Sequence, residues 1–327
     1  MAVSQTASLI IMDTVCLILV LTSLIGNTLV ILTVLLNKPM QTTLNYLLVN
    51  LAVADMVFAL PTGLKKGLFQ YLTHPEGEAG RWLCVWFTHG DIAWFGAAAS
   101  ILFLVYIAIE RYLAIIHPLR HRGKFTKGRL KLLIGIAWFV SIVINMVDLL
   151  EVKYYYFDSG SCKRYDNFRT IDERFFKAHS LIWMLFAGVV PVCIMVCLYS
   201  RVAYRLWVKP VESAHLKASQ TALLRHRKQV TVSLLVVSAI YAFCWIPALI
   251  SHVTMVWGVG VPWFNDAGEV LIVLNSCVNP GVYSLRIKSF REHLRNVILC
   301  RKRRKIRAPS GLTVPGIASV VCKPSAE

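Results

Sequence analysis

Residues 45–68 read NYLLVNLAVADMVFALPTGLKKGL. Two features of this stretch decide the fold class. It is apolar for longer than the roughly 20 residues that cross a ~30 Å bilayer core as a helix. It also carries one carboxylate, Asp55, at its centre. A charge at the bilayer centre costs ~2.5–3.5 kcal/mol on insertion scales, so such a group turns away from lipid and usually has a function or a partner. The stretch therefore reads as a membrane-spanning helix whose Asp55 faces protein.

Six further apolar stretches flank it, at about 9–36, 83–115, 130–150, 178–208, 230–256 and 263–285, giving seven spans in chain order. The composition agrees. Of the 327 residues 57% are hydrophobic and only 16% charged, with mean hydropathy +0.60. A soluble domain carries roughly 25% charged residues. The expected fold is an all-α seven-transmembrane helix bundle. It divides into a short extracellular N-terminus (1–8), the seven-span bundle (9–285), a short amphipathic helix on the cytoplasmic face (286–300) and a basic, largely disordered tail (301–327).

The net charge of +18 would point to nucleic acid in a soluble protein, but here the charges sort by side. Arg120, Arg122, Lys124, Lys127, Arg129 and Lys131 follow span three without an acid, and Arg301 to Lys305 form a basic run. The segments after spans two and four mix both signs. Cytoplasmic loops collect Lys and Arg, so the N-terminus is expected outside and the C-terminus in the cytoplasm. No nucleic-acid partner is expected. Nine cysteines do not make a disulfide scaffold in a chain this long. Cys16, Cys193, Cys197, Cys244 and Cys277 lie in apolar stretches and read as small buried hydrophobes. Other polar residues at mid-span are Asn27, Ser100, Asn275, Ser276 and Asn279. With Asp55 they offer the hard oxygen donors of a sodium site or, equally, a water-filled hydrogen-bond network.

The motifs, in order, are Gly26-Asn27; Leu51-Ala52-Val53-Ala54-Asp55; Glu110-Arg111-Tyr112 with His117-Pro118-Leu119; Trp138; Pro191 with Tyr199; Cys244-Trp245-Ile246-Pro247; and Asn279-Pro280-Gly281-Val282-Tyr283. Each lies on its proper span. Along nearly its whole length the chain resembles the rhodopsin-like G-protein-coupled receptors, and within them neuropeptide receptors. The resemblance implies an allosteric Na⁺ at Asp55, Ser100, Asn275 and Ser276, with no required cofactor. It implies an activation switch of Glu110, Arg111, Tyr199, Trp245, Pro247, Asn279, Pro280 and Tyr283. It implies G-protein contacts at Arg111 and Leu119, a Cys84–Cys162 disulfide and palmitoylation at Cys300. Pro247 and Pro280 each remove a helical hydrogen bond and kink their spans.

Some positions depart from the family. Cys84 stands two residues further from Arg111 than usual, with Trp86 at the usual site, so span three must begin differently or contain a bulge. Tyr241 replaces the usual Phe, and Arg227 replaces an acid that often pairs with the arginine. Ala93 stands where amine receptors carry Asp, and Val273 where opsins carry the retinal Lys. Lys65, Lys66, Asp91, Trp94, Trp245, His252 and Glu269 are the candidate ligand contacts. Their mixed charge suits a short peptide, with another polar small molecule, or no diffusible ligand, as alternatives. Further down, Ile287, Phe290, Leu294 and Ile298 recur at helical spacing between cations, the pattern of a helix lying on an anionic inner membrane face. The expected partners are an extracellular peptide-like ligand, a heterotrimeric G protein, arrestin, a receptor kinase and membrane lipids, all at the plasma membrane. No motif points to an enzyme. An ion-coupled transporter is the rival from another class, and the chain lacks the internal repeats that transporters often show.

Overall fold

The computed structural model describes residues 2–68, 75, 77–88, 91–117, 126–146, 155–158, 161–164, 173–208 and 218–299. Span one is α1 (Ala2–Leu35) and span two is α2 (Thr43–Gly67). Span three comprises α3 (Glu78–Leu83), a π-helical turn (Cys84–Thr88) and α4 (Asp91–Ile116). Span four is α5 (Lys127–Asn145). Span five comprises α6 (Glu173–Met184), a π turn (Leu185–Val189), α7 (Val190–Ala203) and a second π turn (Tyr204–Val208). Span six is α8 (Ala218–Val256), and span seven is α9 (Pro262–Arg286), followed by α10 (Lys288–Ile298). Between spans four and five, β1 (Tyr155–Asp158) and β2 (Ser161–Arg164) form an antiparallel hairpin with Cys162 opposite Phe157.

Among the described residues, six helices are long and apolar enough to cross a membrane, and α9 joins them when taken with α10, which turns from it by 105°. Span seven passes less easily because its inward face carries Asp266, Glu269, Asn275, Ser276 and Asn279. The residues set aside as an outer N-terminus are the first turns of α1, whose membrane-length run is Ile10–Leu35. Span six reaches inward to Ala218, three turns beyond its apolar stretch, because the residues added are good helix formers. The π turn at Cys84–Thr88 is the bulge that the displaced cysteine requires, since a π turn takes in more residues than an α turn.

The helices are apolar on the outside as well as within. Leu132, Ile136, Phe139, Ile142 and Val143 of α5 are exposed and present span four to lipid. What distinguishes the interior is small size and hydrogen bonding, as in membrane bundles generally. Ala97, Ala98 and Ala99 are buried in α4, which packs against α2. Gly96 brings α4 close to the backbone of α2, since an added Cβ would lie 2.5 Å from both Ala54 O and Phe58 N. Backbone cannot yield as a side chain can. Gly96→Ala is therefore expected to lower stability by about 1–3 kcal/mol, read as an earlier thermal unfolding of the purified protein. An unchanged midpoint would show that α2 and α4 separate freely. Caps define the helix starts: the Thr42 hydroxyl accepts from Asn45 N at 3.3 Å, and Thr126 from Arg129 N at 3.4 Å.

Ile287, which caps α10, and Phe290 within it are buried and Leu294 packs against the core, while Ile298 is exposed. The Phe290 ring meets Tyr283 edge-on at 6.2 Å. This contact fixes the turn of α10 under the bundle.

Candidate functional site

Three polar sites stack through the bundle. The middle one is built on Asp55, which is fully buried. Ser100 Oγ of α4 donates to Asp55 Oδ1 at 2.8 Å, and Asn279 Nδ2 of α9 donates to Oδ2 at 2.7 Å. The carboxyl thus joins spans two, three and seven. Asn275 and Ser276 are buried one turn along α9, because residues three and four apart share a helix face. Asn275 Oδ1 has no hydrogen-bond partner among the described residues. A buried amide oxygen so placed is an acceptor awaiting a donor or a cation. Asn27 extends the network to span one, its Nδ2 donating to Ser276 O at 3.1 Å. The approach is close because Gly26 faces Pro280, and a Cβ there would lie 3.0 Å from the proline ring.

The inner site is Glu110 and Arg111. Arg111 Nε and Nη2 both reach Glu110 Oε2 at 2.5 Å, and the glutamate is buried. The buried side chains of Tyr199 and Tyr283 belong to the same inner half, and Tyr283 Oη has no partner among the described residues. Above them Trp245 is buried with its ring 5.8 Å from Tyr241, and its Nε1 is also without a partner.

The outer site is an ion cluster. Lys65 Nζ donates to Glu269 Oε1 at 3.0 Å, while Lys66 Nζ lies 3.5 Å from Glu269 Oε2 and 3.2 Å from Asp13 Oδ1. It ties spans one, two and seven at their outer ends. Below it, Trp94 packs between Phe58 at 6.0 Å and Trp183 at 6.2 Å.

Residues 26–283 match the family described as "7 transmembrane receptor (rhodopsin family)". The chain belongs to that family of receptors. Among its relatives is a QRFP-like peptide receptor of Branchiostoma floridae, 28% identical over 309 residues, which are 88% of this chain and 77% of the relative. An allatostatin-A receptor of Bombyx mori is 29% identical over 287 residues, 85% of this chain and 76% of the relative. An adenosine receptor A3 of Ovis aries is 28% identical over 280 residues, 83% of this chain and 84% of the relative. The chain is accordingly a membrane receptor and not an enzyme.

In this receptor the structure gathers Asp55, Ser100 and Asn279 by direct contact, with Asn275 and Ser276 beside them. Asn279 was read both as a polar group at mid-span and, from its motif, as a switch residue. Its bond to the carboxylate ties the switch to the mid-membrane site. At the mouth, Lys65, Lys66 and Glu269 are not independent contacts but partners of one another, and Asp13 joins them without having been singled out. No signal along one span could reveal this, since it depends on how spans one, two and seven are rotated. His252 is half-buried on α8. Asp91 opens α4, but its side chain lies outside the described residues, as do Leu119, Arg227 and Cys300. Cys84 is buried and disulfide-bonded. The side chain of Cys162 lies outside the described residues.

Proposed function

We propose that this receptor binds a short peptide at its outer face and in response opens its inner face to a heterotrimeric G protein, which then exchanges its nucleotide. The observation that carries the inner half is the Arg111–Glu110 pair at 2.5 Å. A buried ion pair at the end of a bundle is a bistable element, held while closed and available to a partner once the helices part. Pro247 and Pro280 lie within their helices, where each removes a backbone hydrogen bond and supplies a hinge. Tyr199 and Tyr283 move toward Arg111 as it is released, and Leu119 adds an apolar contact to the G protein.

The ligand class is supported by the outer cluster, in which two cations and two carboxylates meet above the Trp94 aromatics. A peptide brings charges of both signs and apolar side chains to such a mouth. The relatives named as peptide receptors support the same reading. A second reading, a polar small molecule, is supported by the adenosine receptors at comparable identity. The test is a screen of pooled amidated peptides, nucleosides, monoamines and lipids on cells expressing the chain, read by G-protein dissociation. A peptide response, lost when Glu269→Ala breaks the cluster, is expected. A nucleoside response with no peptide response would establish the second reading. Silence with a high unstimulated signal would show a constitutively active receptor.

The residues around Asp55 fit a sodium ion. The carboxylate is wholly buried, and Ser100, Ser276 and the unpartnered Asn275 Oδ1 supply hard oxygens beside it. When bound, the ion would neutralise Asp55 and favour the closed arrangement. The same inner face is read as the docking surface of arrestin and a receptor kinase. The amphipathic α10, with Cys300 as its palmitoylation site, lies on the inner leaflet and binds anionic lipid. Cys162 is the disulfide partner of Cys84. The charge distribution supports a cytoplasmic C-terminus and an outer N-terminus at the plasma membrane.

A further inference from the structure

Pro191 has no N–H, so where the π turn Leu185–Val189 ends, with Val190 N still on Leu185 O, the carbonyls of Phe186 and Ala187 lose the helical donor that another residue at 191 would supply. Inside a membrane protein no bulk water makes good that loss. The donor comes from another span: the Tyr241 hydroxyl of α8 donates to Ala187 O. Ala187 lies in the π turn Leu185–Val189 and is completely buried. The next residue, Gly188, keeps the two spans close, since a Cβ there would lie 2.8 Å from Leu249 Cδ1. Spans five and six therefore meet twice along this one turn, once through Gly188 and once through the Tyr241 hydroxyl. Tyr241 itself is fully buried, with its ring 5.8 Å from that of Trp245 one helical turn away.

Position along the helix decides what the bond does. Tyr241 lies six residues to the inner side of Pro247, about 9 Å along α8. It is thus on the half that moves when span six swings about the proline. A hydrogen bond tolerates only a few tenths of an ångström of stretch before it weakens. In the structure that holds Arg111 on Glu110, the bond is made. Phenylalanine, the usual residue at this position, could not make it.

We propose that the Tyr241 hydroxyl is a positioning group that holds span six against span five in the closed receptor and releases it on opening. This rests on the reading of the chain as a receptor whose inner face opens. Tyr241→Phe removes one oxygen and keeps the ring. Single interhelical hydrogen bonds in membranes shift equilibria by about threefold on average and at most about twentyfold, so a shift of that size toward the open form is expected without ligand.

The experiment uses the full chain in lipid nanodiscs, spin-labelled at the exposed positions Lys131, near the inner end of span four, and Gln229, on the inner half of span six. The population at the longer inter-label distance is expected to rise about threefold in Tyr241→Phe, with a parallel rise in unstimulated nucleotide exchange. Pro191→Ala, which offers Ala187 O a donor from its own helix, is expected to shift the distances the same way. Unchanged or shortened distances in both variants would overturn the proposal. Shifted distances without any nucleotide exchange would leave the positioning role standing and overturn the receptor mechanism instead. Unchanged distances beside intact stimulated exchange would overturn the positioning role alone.

Discussion

Changing Arg111 to alanine is expected to reduce G-protein nucleotide exchange to the background of membranes lacking the receptor, while ligand binding at the outer face persists. Arg111 is mostly buried and grips a carboxylate that is nearly inaccessible. Opening of the inner face would present its guanidinium to a partner. The same change deprives Glu110 of its arginine, and removing one member of a buried ion pair costs on the order of 3–5 kcal/mol. Loss of signal alone would therefore not separate a switch from a support. The double variant Glu110→Ala with Arg111→Ala makes the separation, because it removes the buried carboxylate as well. Its unfolding temperature is expected to recover most of the loss, and its exchange to stay at background. Recovery of exchange together with stability would show that Arg111 serves only the fold.

Asp55 gives the second large effect. Asp55→Ala leaves the Ser100 hydroxyl and the Asn279 amide without their shared acceptor in a buried site. Each abandoned polar group costs about 1–3 kcal/mol, so a combined loss of roughly 2–6 kcal/mol is expected as a lower unfolding temperature of the purified receptor. Asp55→Asn keeps an acceptor oxygen but not the charge. It is expected to retain most of the stability and to abolish any difference in agonist affinity between sodium and a larger organic cation. A sodium effect that survives in Asp55→Asn would remove the ion from the site.

The sequence makes the spans legible because lipid imposes a length and an apolarity that no other environment imposes together. The seven stretches differ from the helices mainly at their ends, where polar helix formers prolong span six and the first turns of α1 precede the apolar run. Asp55 and Ser100 are legible because a polar group in an apolar run is conspicuous on its own, and Glu110 through its motif with Arg111. The relations between spans are not. The cluster of Lys65, Lys66, Asp13 and Glu269 depends on the relative rotation of three helices. The Tyr241 bond depends on a carbonyl whose partner is missing because of Pro191, a fact written on a different span. The π turns carry no signature of composition. The one at Cys84–Thr88 is betrayed only by a cysteine standing two residues out of step, and those at Leu185–Val189 and Tyr204–Val208 not even by that. The Tyr155–Arg164 pairing likewise arises in a segment read only as a charged outer loop.

On the proposed function, this bundle couples an outer ligand to nucleotide exchange inside. The most direct measurement is guanine-nucleotide exchange on purified heterotrimeric G proteins by the purified chain in lipid nanodiscs, with and without the peptide pool that gives a response in cells. Exchange is expected to rise with the peptide in the unaltered receptor and to be absent from Arg111→Ala. Exchange equal to that of empty nanodiscs across the G-protein classes, from a receptor that still binds the peptide, would contradict it.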